Sequence, residues 1–310
     1  MTFSDRFSRR TIFAAVFAAG AAVLLFLAFR NGPAVLKTNA EGTFIPPVKT
    51  AELDRLFSGR GYRISDYILN QKPIPRLFAE AVPSDFNRSR YDDIRPALFV
   101  EMMTPLILKA NAAVEKERAE LEKLKKEFEI RGELLPEGEE KVRKTAQKYG
   151  VTATGLPAAF SELSLRVDAI PPTLLLAMSA EATGWATSRY AREYNALFLE
   201  KDWDGNGIVP EEKQKPGPQY RIKTFPTVYD SILSYIHYLN TSGYFENFRI
   251  ARQRYRRMNE KPNGYLTAGM LLNFPSKPFI YPDMLKHLIK QYRLSLLDLQ
   301  ELEKEPGQPE

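Results

Sequence analysis

The sequence predicts a mainly α-helical protein that carries one small β insertion and is preceded by a single transmembrane helix. Three patterns support this fold class. Apolar residues recur at helical spacing through much of residues 96–302. Residues 199–224 are instead charged and rich in Gly and Pro, and residues 220–223 alternate as in a short strand. Near the start of the chain, the run from Thr11 to Phe29 contains no charged residue.

The apolar run over residues 11–29 has the length of a membrane-spanning helix. At about 1.5 Å per residue it spans close to the ~30 Å hydrocarbon core of a bilayer. Three arginines lie within residues 1–10, which predicts that this tail stays cytoplasmic. We therefore expect a single-pass protein of the inner membrane with its C-terminal domain in the periplasm. A cleavable signal peptide is the alternative, but residues 30–33 offer no convincing small-x-small cleavage site.

The rest of the chain divides into an extension, a helical domain and a tail. Residues 30–95 predict a tether and an N-terminal extension that packs on the main domain, which itself covers residues 96–302. Its first helix begins at Pro96, with a kink expected at Pro105. Further helices are predicted at residues 137–149, 156–167, 172–181, 228–240, 245–258, 266–272 and 282–292. The polar residues 303–310 predict a disordered tail.

The second half of the long helix, within residues 96–131, is rich in charge. Glu residues alternate with Lys and Arg, and opposite charges recur four residues apart, as at Glu122 and Lys126. This pattern is typical of a solvated helix that projects from its domain. A coiled coil that binds a partner protein is the alternative.

Composition narrows the chemistry that the chain can perform. It has 310 residues and no Cys, which excludes a disulfide framework, a zinc-thiolate site and a cysteine nucleophile. The two His residues are too few for a zinc hydrolase. A Ser-His-Asp hydrolase remains formally open, but no Gly-x-Ser-x-Gly motif occurs. Carboxylate chemistry is therefore the default, and no cofactor is expected.

The charge balance indicates the kind of partner. The formal net charge of +6 is mild and suits an anionic, extended partner such as a cell-wall polymer or a lipid surface. Nucleic acid is not expected, because the basic residues are scattered among nearly as many acids. Residues 202–207 are similar to the start of a calcium loop, but its twelfth position holds Lys213 where a bidentate Glu is needed. No metal is therefore expected.

Residues 171–198 carry the most functional information. The apolar run from Leu174 to Met178 predicts a buried helix, which delivers Glu181 to a turn of small residues. Trp185 and a segment rich in Arg and Tyr follow directly. A buried helix, then a carboxylate, then an aromatic wall is an order that places a general acid beside a sugar-binding cleft.

This segment resembles the glucosaminidase domain of bacterial autolysins, specifically the Bax-like branch of glycoside hydrolase family 73. The resemblance is carried by residues 99–111, by the run Thr-Ser-Arg-Tyr-Ala-Arg-Glu-Tyr-Asn-Ala-Leu-Phe over 187–198, by residues 220–231 and by Leu297-Asp298. It implies a lysozyme-like helical domain with a small β lobe. It also implies cleavage of β-1,4 bonds after N-acetylglucosamine in the glycan strands of peptidoglycan.

The chain departs from the family pattern at the position of the catalytic acid. The pattern is Glu-Ser-Gly-Trp, with the catalytic acid three residues before the Trp, and that position here is Ala182. The neighbouring Glu181 points about 100° away on a helix. A methyl group cannot protonate a glycosidic oxygen, and loss of a general acid costs roughly 10²–10⁴-fold in rate. Ala182 is either natural, as in an inactive relative, or an introduced replacement of Glu.

The resemblance implies further site residues. A second carboxylate is expected from the β lobe, where the candidates are Asp202, Asp204, Glu211 and Glu212. Aromatic side chains that could stack on sugars are Trp185, Tyr190, Trp203, Tyr220 and Phe225. Arg189 and Asn195 are expected to orient the loop or the acid. The family has a cleft-lining Tyr late in the chain, where this sequence has Phe274, with Tyr281 or Tyr265 as replacements.

Three functions follow as hypotheses. The first is a membrane-anchored peptidoglycan hydrolase, inactive in this chain because of Ala182. The second is a catalytically dead glycan-binding or scaffold protein of the cell envelope. Its protein partner would dock on the helix within residues 96–131 or in the membrane. The third is a lytic transglycosylase, which also needs a single Glu in a similar fold.

Overall fold

The computed structural model describes residues 34–212, 217, 219–274 and 279–305. The predicted cytoplasmic tail and the anchor over residues 11–29 lie outside the described residues. The chain divides into two units, residues 1–36 and 37–310.

The second unit is mainly helical, as the sequence predicts. Its helices are α1 (Thr50–Gly59), α2 (Ile64–Leu69), α3 (Arg95–Arg131), α4 (Pro136–Lys148), α5 (Leu156–Arg166), α6 (Pro172–Thr183), α7 (Arg189–Tyr194), α8 (Val228–Thr241), α9 (Glu246–Arg257), α10 (Gly264–Ala268) and α11 (Tyr281–Gln291). Its strands are β1 (Lys37–Asn39), β2 (Gly42–Ile45), β3 (Leu77–Ala79), β4 (Lys201–Asp202) and β5 (Arg221–Ile222).

Helix α3 crosses the core. Residues 98–108 are all buried, including Pro105, and the helix runs on without interruption to Arg131. The helix is long and apolar enough to span a membrane, but 72% of its apolar window is buried inside the protein. It is therefore the central helix of a folded domain, and its apolar surface is already covered by protein.

The second half of α3 is partly covered by its neighbours, although the sequence predicts a projecting solvated helix. Leu121 is 4% exposed, and the ring of Phe128 lies 6.0 Å from that of Phe160 in α5. Helix α4 approaches closely at Gly138, where an added Cβ would lie 3.2 Å from Leu124. Apolar residues at every third or fourth position explain this packing, because most of the charged side chains lie on the outer face, with Arg118 as a buried exception.

Helix α6 is almost completely buried, with ten of its twelve residues in the core. It packs against α3, α10, α11 and the 3₁₀ turn Leu294–Leu299. Asp298 in that turn accepts hydrogen bonds from Thr173 N at 2.9 Å and from Gly264 N at 2.6 Å. One carboxylate therefore satisfies backbone donors in the first turns of both α6 and α10.

The N-terminal extension contains a small sheet where the sequence predicts a tether. Strand β2 pairs antiparallel with β1 and parallel with β3. Phe44 and Phe78 are in ring contact at 5.4 Å, and Lys109 Nζ of α3 lies 4.6 and 4.8 Å from their centroids. Ile45 is fully buried. The apolar side chains of β2 therefore join this segment to the helical domain.

The segment from Lys201 to Ile222 forms the small β insertion, which we call the β lobe. Lys201–Asp202 pairs antiparallel with Arg221–Ile222, and Ile208 forms a bridge to Ile222. Gly207 has a φ of +89°, and a Cβ there would lie 2.1 Å from Ile222 O. Only glycine fits this close approach. The strand expected at residues 220–223 is confirmed.

Candidate active site

Helix α6 presents Glu181 and Ala182 in its last turn. The residues of its buried run, 174–178, are at most 1% exposed, so the helix is held firmly in the core. Glu181 and Ala182 are both partly exposed. The position at which the resemblance expects a proton donor is therefore open to solvent, and the methyl group of Ala182 is not sealed in the interior.

Three consecutive left-handed residues follow α6. Gly184, Trp185 and Ala186 have φ values of 58°, 58° and 61°. Thr183 braces this turn, since its Oγ1 accepts from Ala186 N at 2.9 Å and donates to Ser179 O at 2.7 Å. A left-handed conformation costs about 1–2 kcal/mol at a non-glycine residue, and such strain concentrates at functional sites.

The strained turn directs Trp185 between two other aromatic rings. Its ring lies 4.3 Å from that of Tyr292 and 5.5 Å from that of Phe99 in α3, the latter edge to face. The indole is partly exposed. The sequence predicts Trp185 as a sugar-stacking residue. That role stays a prediction, while the ring contacts show what holds the side chain in place.

The charge of Glu181 acts on aromatic side chains from two other helices. Burial raises the pKa of Tyr235 in α8 and of Tyr281 in α11, and the nearby charge of Glu181 raises both pKa values further. Tyr281 stacks on Phe274, with centroids 3.9 Å apart and an interplanar angle of 14°. The structure therefore brings together three residues that the sequence singles out separately: Glu181, Phe274 and Tyr281. Tyr265 lies elsewhere, under Lys286 and Lys290.

Asn195 holds the end of α7 against two other segments. Its Oδ1 accepts from Val82 N at 3.3 Å, and its Nδ2 donates to Phe225 O and Pro226 O at 3.3 and 3.1 Å. The residue is 9% exposed and has a φ of 51°, which Asn tolerates well. The structure gives Asn195 an anchoring position. Its predicted contact with substrate stays a prediction.

The segment after the strained turn reaches the β lobe through Arg189 and Tyr190. Arg189 Nε forms an ion pair with Glu211, and Glu211 N donates to Tyr190 OH at 2.6 Å. Two predicted substrate-binding residues thus contact one predicted catalytic residue, Arg189 through the carboxylate of Glu211 and Tyr190 through its backbone N–H. Phe225 is partly exposed beyond the lobe, and its N–H donates to Tyr194 O at 3.0 Å.

The other carboxylates of the β lobe differ in their surroundings. Asp202 Oδ1 accepts hydrogen bonds from Asp204 N and Asn206 N, both at 3.0 Å. The Asp202 side chain therefore stabilises the turn that directly follows it. Asp204 and Glu212 are exposed. Within the part of the chain that the structure describes, no group of three or more His, Asp or Glu side chains could hold a metal ion. The choice among these four carboxylates stays a prediction.

Trp203 is the most exposed aromatic side chain of the lobe, at 58%. This agrees with the sequence, which places it on a charged loop. Its ring lies 5.5 Å from that of Tyr220, and Lys201 Nζ lies 4.2 Å from the Tyr220 centroid. The two rings form an amphipathic surface of the kind that sugar rings stack on.

Sequence reasoning missed Glu200 as a residue that shapes the site. It is 6% exposed, pairs with Lys223 and accepts from Ser234 Oγ at 3.0 Å. Its charge acts on Tyr235, which Glu181 also affects. A signal was present in the sequence, because Glu200 ends the apolar run Ala196–Leu199 and a charge there must be paired if it is buried.

Comparison with known proteins points to one family. Residues 158–294 match the glucosaminidase family, described as mannosyl-glycoprotein endo-β-N-acetylglucosaminidase. The chain is 29% identical over 190 residues to protein bax of Escherichia coli K12. That match covers 58% of this chain and 66% of the relative, just under two thirds of its length. No solved structure matches significantly. The segment that matches the family, residues 158–294, runs from α5 to the start of the 3₁₀ turn after α11 and includes every site residue that the sequence predicts.

Proposed function

We propose that this chain, whose residues 158–294 match the glucosaminidase family and which is similar to protein bax, acts on the glycan strands of peptidoglycan. The proposed reaction is hydrolysis of the β-1,4 bond after N-acetylglucosamine. The apolar run over residues 11–29 would hold the domain at the periplasmic face of the inner membrane. Such a tether restricts cutting to glycan close to the membrane.

One observation carries the proposal about activity. Ala182 is partly exposed in the last turn of α6, shortly before the strained turn and Trp185. A Glu at this position would stand on a rigid helix end, as a general acid requires. With Ala182 in its place, the chain lacks a proton donor at this position. We therefore propose that hydrolysis by this chain is about 10²–10⁴-fold slower than by a version with Glu at that position.

The test compares three full-length proteins in detergent on purified peptidoglycan: the chain as it stands, Ala182→Glu and Ala182→Gln. Gln matches Glu in size but cannot donate a proton in the same way. We expect activity only in the Ala182→Glu protein. Mass analysis of the products identifies the reaction, because a glucosaminidase leaves reducing-end N-acetylglucosamine and a lytic transglycosylase leaves anhydro-muramic ends.

Two other outcomes assign a different function. Glycan binding without cleavage by any of the three proteins favours a glycan-binding scaffold of the cell envelope. Cleavage by the unaltered chain that is lost in Glu181→Gln contradicts the proposal about Ala182. It would assign proton donation to Glu181, whose carboxylate lies near Tyr235 and Tyr281.

Membrane placement is tested separately. A reporter enzyme that is active only in the periplasm is fused after residue 310. Periplasmic activity supports the proposed orientation, and replacement of the three arginines in residues 1–10 by Gln should weaken it. Release of the mature protein in a soluble form would instead favour a cleaved signal peptide.

A further inference from the structure

Arg189 is held in place before any ligand binds. Its guanidinium carbon lies 5.5 Å from the Tyr190 ring and 5.6 Å from the Tyr194 ring. Its Nη1 also approaches Tyr194 OH at 3.4 Å and Glu193 Oε2 at 3.5 Å. A guanidinium oriented by aromatic rings loses little conformational entropy when it binds an anion, and its planar set of donors matches a carboxylate.

In the structure, a carboxylate from the β lobe binds this guanidinium. Glu211 pairs with Arg189 Nε, and its backbone N–H donates to Tyr190 OH at 2.6 Å. Because the phenol oxygen accepts that bond, its own hydrogen remains available for an acceptor. Arg189 and Tyr190 thus offer a charged donor and a neutral donor side by side.

The contact with Glu211 is easily broken. The side chain of Glu211 is 58% exposed and that of Arg189 is 35% exposed. An ion pair in such a position contributes only about 0–1 kcal/mol, because water and salt screen it. Another carboxylate can therefore replace Glu211 at little cost, provided that it is held nearby by other contacts.

The location makes a substrate carboxylate the natural replacement. Arg189 lies four residues after Trp185 and pairs with Glu211 of the β lobe. It therefore lies between Trp185 and the β lobe, which we take as the two sides of the proposed glycan groove. We propose that Arg189 and Tyr190 bind a carboxylate of the glycan substrate, and that Glu211 is an internal stand-in which this carboxylate displaces. The inference rests on the proposed function, because it assumes that glycan lies in this groove.

Peptidoglycan offers two sources of such a carboxylate: the lactyl group of muramic acid, when no peptide is attached, and the stem peptides. Three ligands separate them. A neutral chito-oligosaccharide has no carboxylate, a peptide-free glycan has lactyl carboxylates, and an intact glycan has peptide carboxylates only. Affinities are measured by calorimetry with the full-length protein in detergent.

We expect the unaltered protein to prefer one of the two anionic glycans over the neutral oligosaccharide. Glu211→Gln should tighten binding of that anionic glycan by about 2–5-fold, because its competitor is gone, and leave the neutral ligand unaffected. Arg189→Gln should abolish the preference. Glu260→Gln, an exposed site with the same change in charge, serves as the matched control.

The outcomes distinguish the inference from the function on which it rests. Equal affinity for all three glycans, or a preference that survives Arg189→Gln, overturns the carboxylate site and leaves the proposed function standing. Absence of any glycan binding overturns both. Should Arg189→Gln fail to fold, Glu211→Gln still tests the inference. An unchanged affinity of Glu211→Gln for the anionic glycans would contradict the displacement of Glu211 by a substrate carboxylate.

Discussion

At the scale of single residues, Asp298 shows how burial and hydrogen bonding compete. Its carboxylate accepts from Thr173 N and Gly264 N, and both bonds favour the charged form. Burial opposes them and prevails, raising the pKa of Asp298 to about 6. The folded protein therefore binds this proton more tightly than the unfolded chain does, for which the pKa is about 3.9.

The sign of the pH dependence follows from that pKa. The stabilising effect of the bound proton is complete below about pH 4 and is lost as the pH rises through about 6, a change on the order of 3 kcal/mol. The side chain in Asp298→Asn does not titrate. The free energy of unfolding of the unaltered protein, minus that of Asp298→Asn, should therefore fall from pH 4 to pH 7. Urea unfolding at both pH values measures it. A difference that widens with pH would mean that the two backbone donors outweigh burial.

Candidate site residues could be predicted from the sequence only where a motif exists. The run of residues 187–198 indicated the candidate site, and the one-residue offset between Glu181 and Ala182 was visible without a structure. The role of Asn195 as an anchor for three backbone groups was not, because Val82 and Phe225 lie far from it in the sequence. Glu200 was missed for the same reason, since its partners come from later elements.

At the scale of elements, two ion pairs of different character hold the β lobe. Glu200–Lys223 joins the residues on either side of it, and Glu211 joins the lobe itself to Arg189 of α7. Glu200 is 6% exposed and is bound by Lys223 and Ser234, whereas Glu211 is largely exposed in its pair with Arg189. Glu200→Gln should lower the free energy of unfolding by about 1–3 kcal/mol, because a buried charged hydrogen bond is lost. Glu211→Gln should lower it by at most about 1 kcal/mol.

Urea unfolding followed by Trp fluorescence compares these two variants, and each is the control for the other. Trp203 lies within the lobe and Trp185 lies outside it. Selective loss of the Trp203 signal in Glu200→Gln would show that Glu200 holds the base of the lobe. Equal effects of the two substitutions would contradict that assignment.

Helices were easier to predict than strands for a physical reason. Helix α3 displays apolar residues at helical spacing and α6 displays one continuous apolar run, so both patterns lie within the element itself. The hairpin over residues 37–45 depends instead on Phe78 and Lys109, which approach from other parts of the chain. Its three- and four-residue strands carry too little periodicity to stand out from a tether.

At the scale of the whole molecule, a buried cluster of charges joins distant helices. Asp168, after α5, is 1% exposed and pairs with Arg252 and Arg256 of α9 at 3.3 and 2.6 Å. Arg118 of α3 approaches it at 3.7 Å. Arg252 is fully buried, so its charge depends on this carboxylate for compensation.

Loss of that carboxylate should therefore affect the whole domain. Asp168→Asn leaves Arg252 buried without a counter-charge, and we expect the free energy of unfolding to fall by about 3–5 kcal/mol. Asp92→Asn is the matched control, since Asp92 pairs with Arg95 but is itself 60% exposed, and its effect should stay below about 1 kcal/mol. Urea unfolding at pH 7 measures both. A loss under 1 kcal/mol in Asp168→Asn would mean that water or a neighbouring acid, such as Glu115 on Arg256, replaces Asp168 as the counter-charge of this cluster.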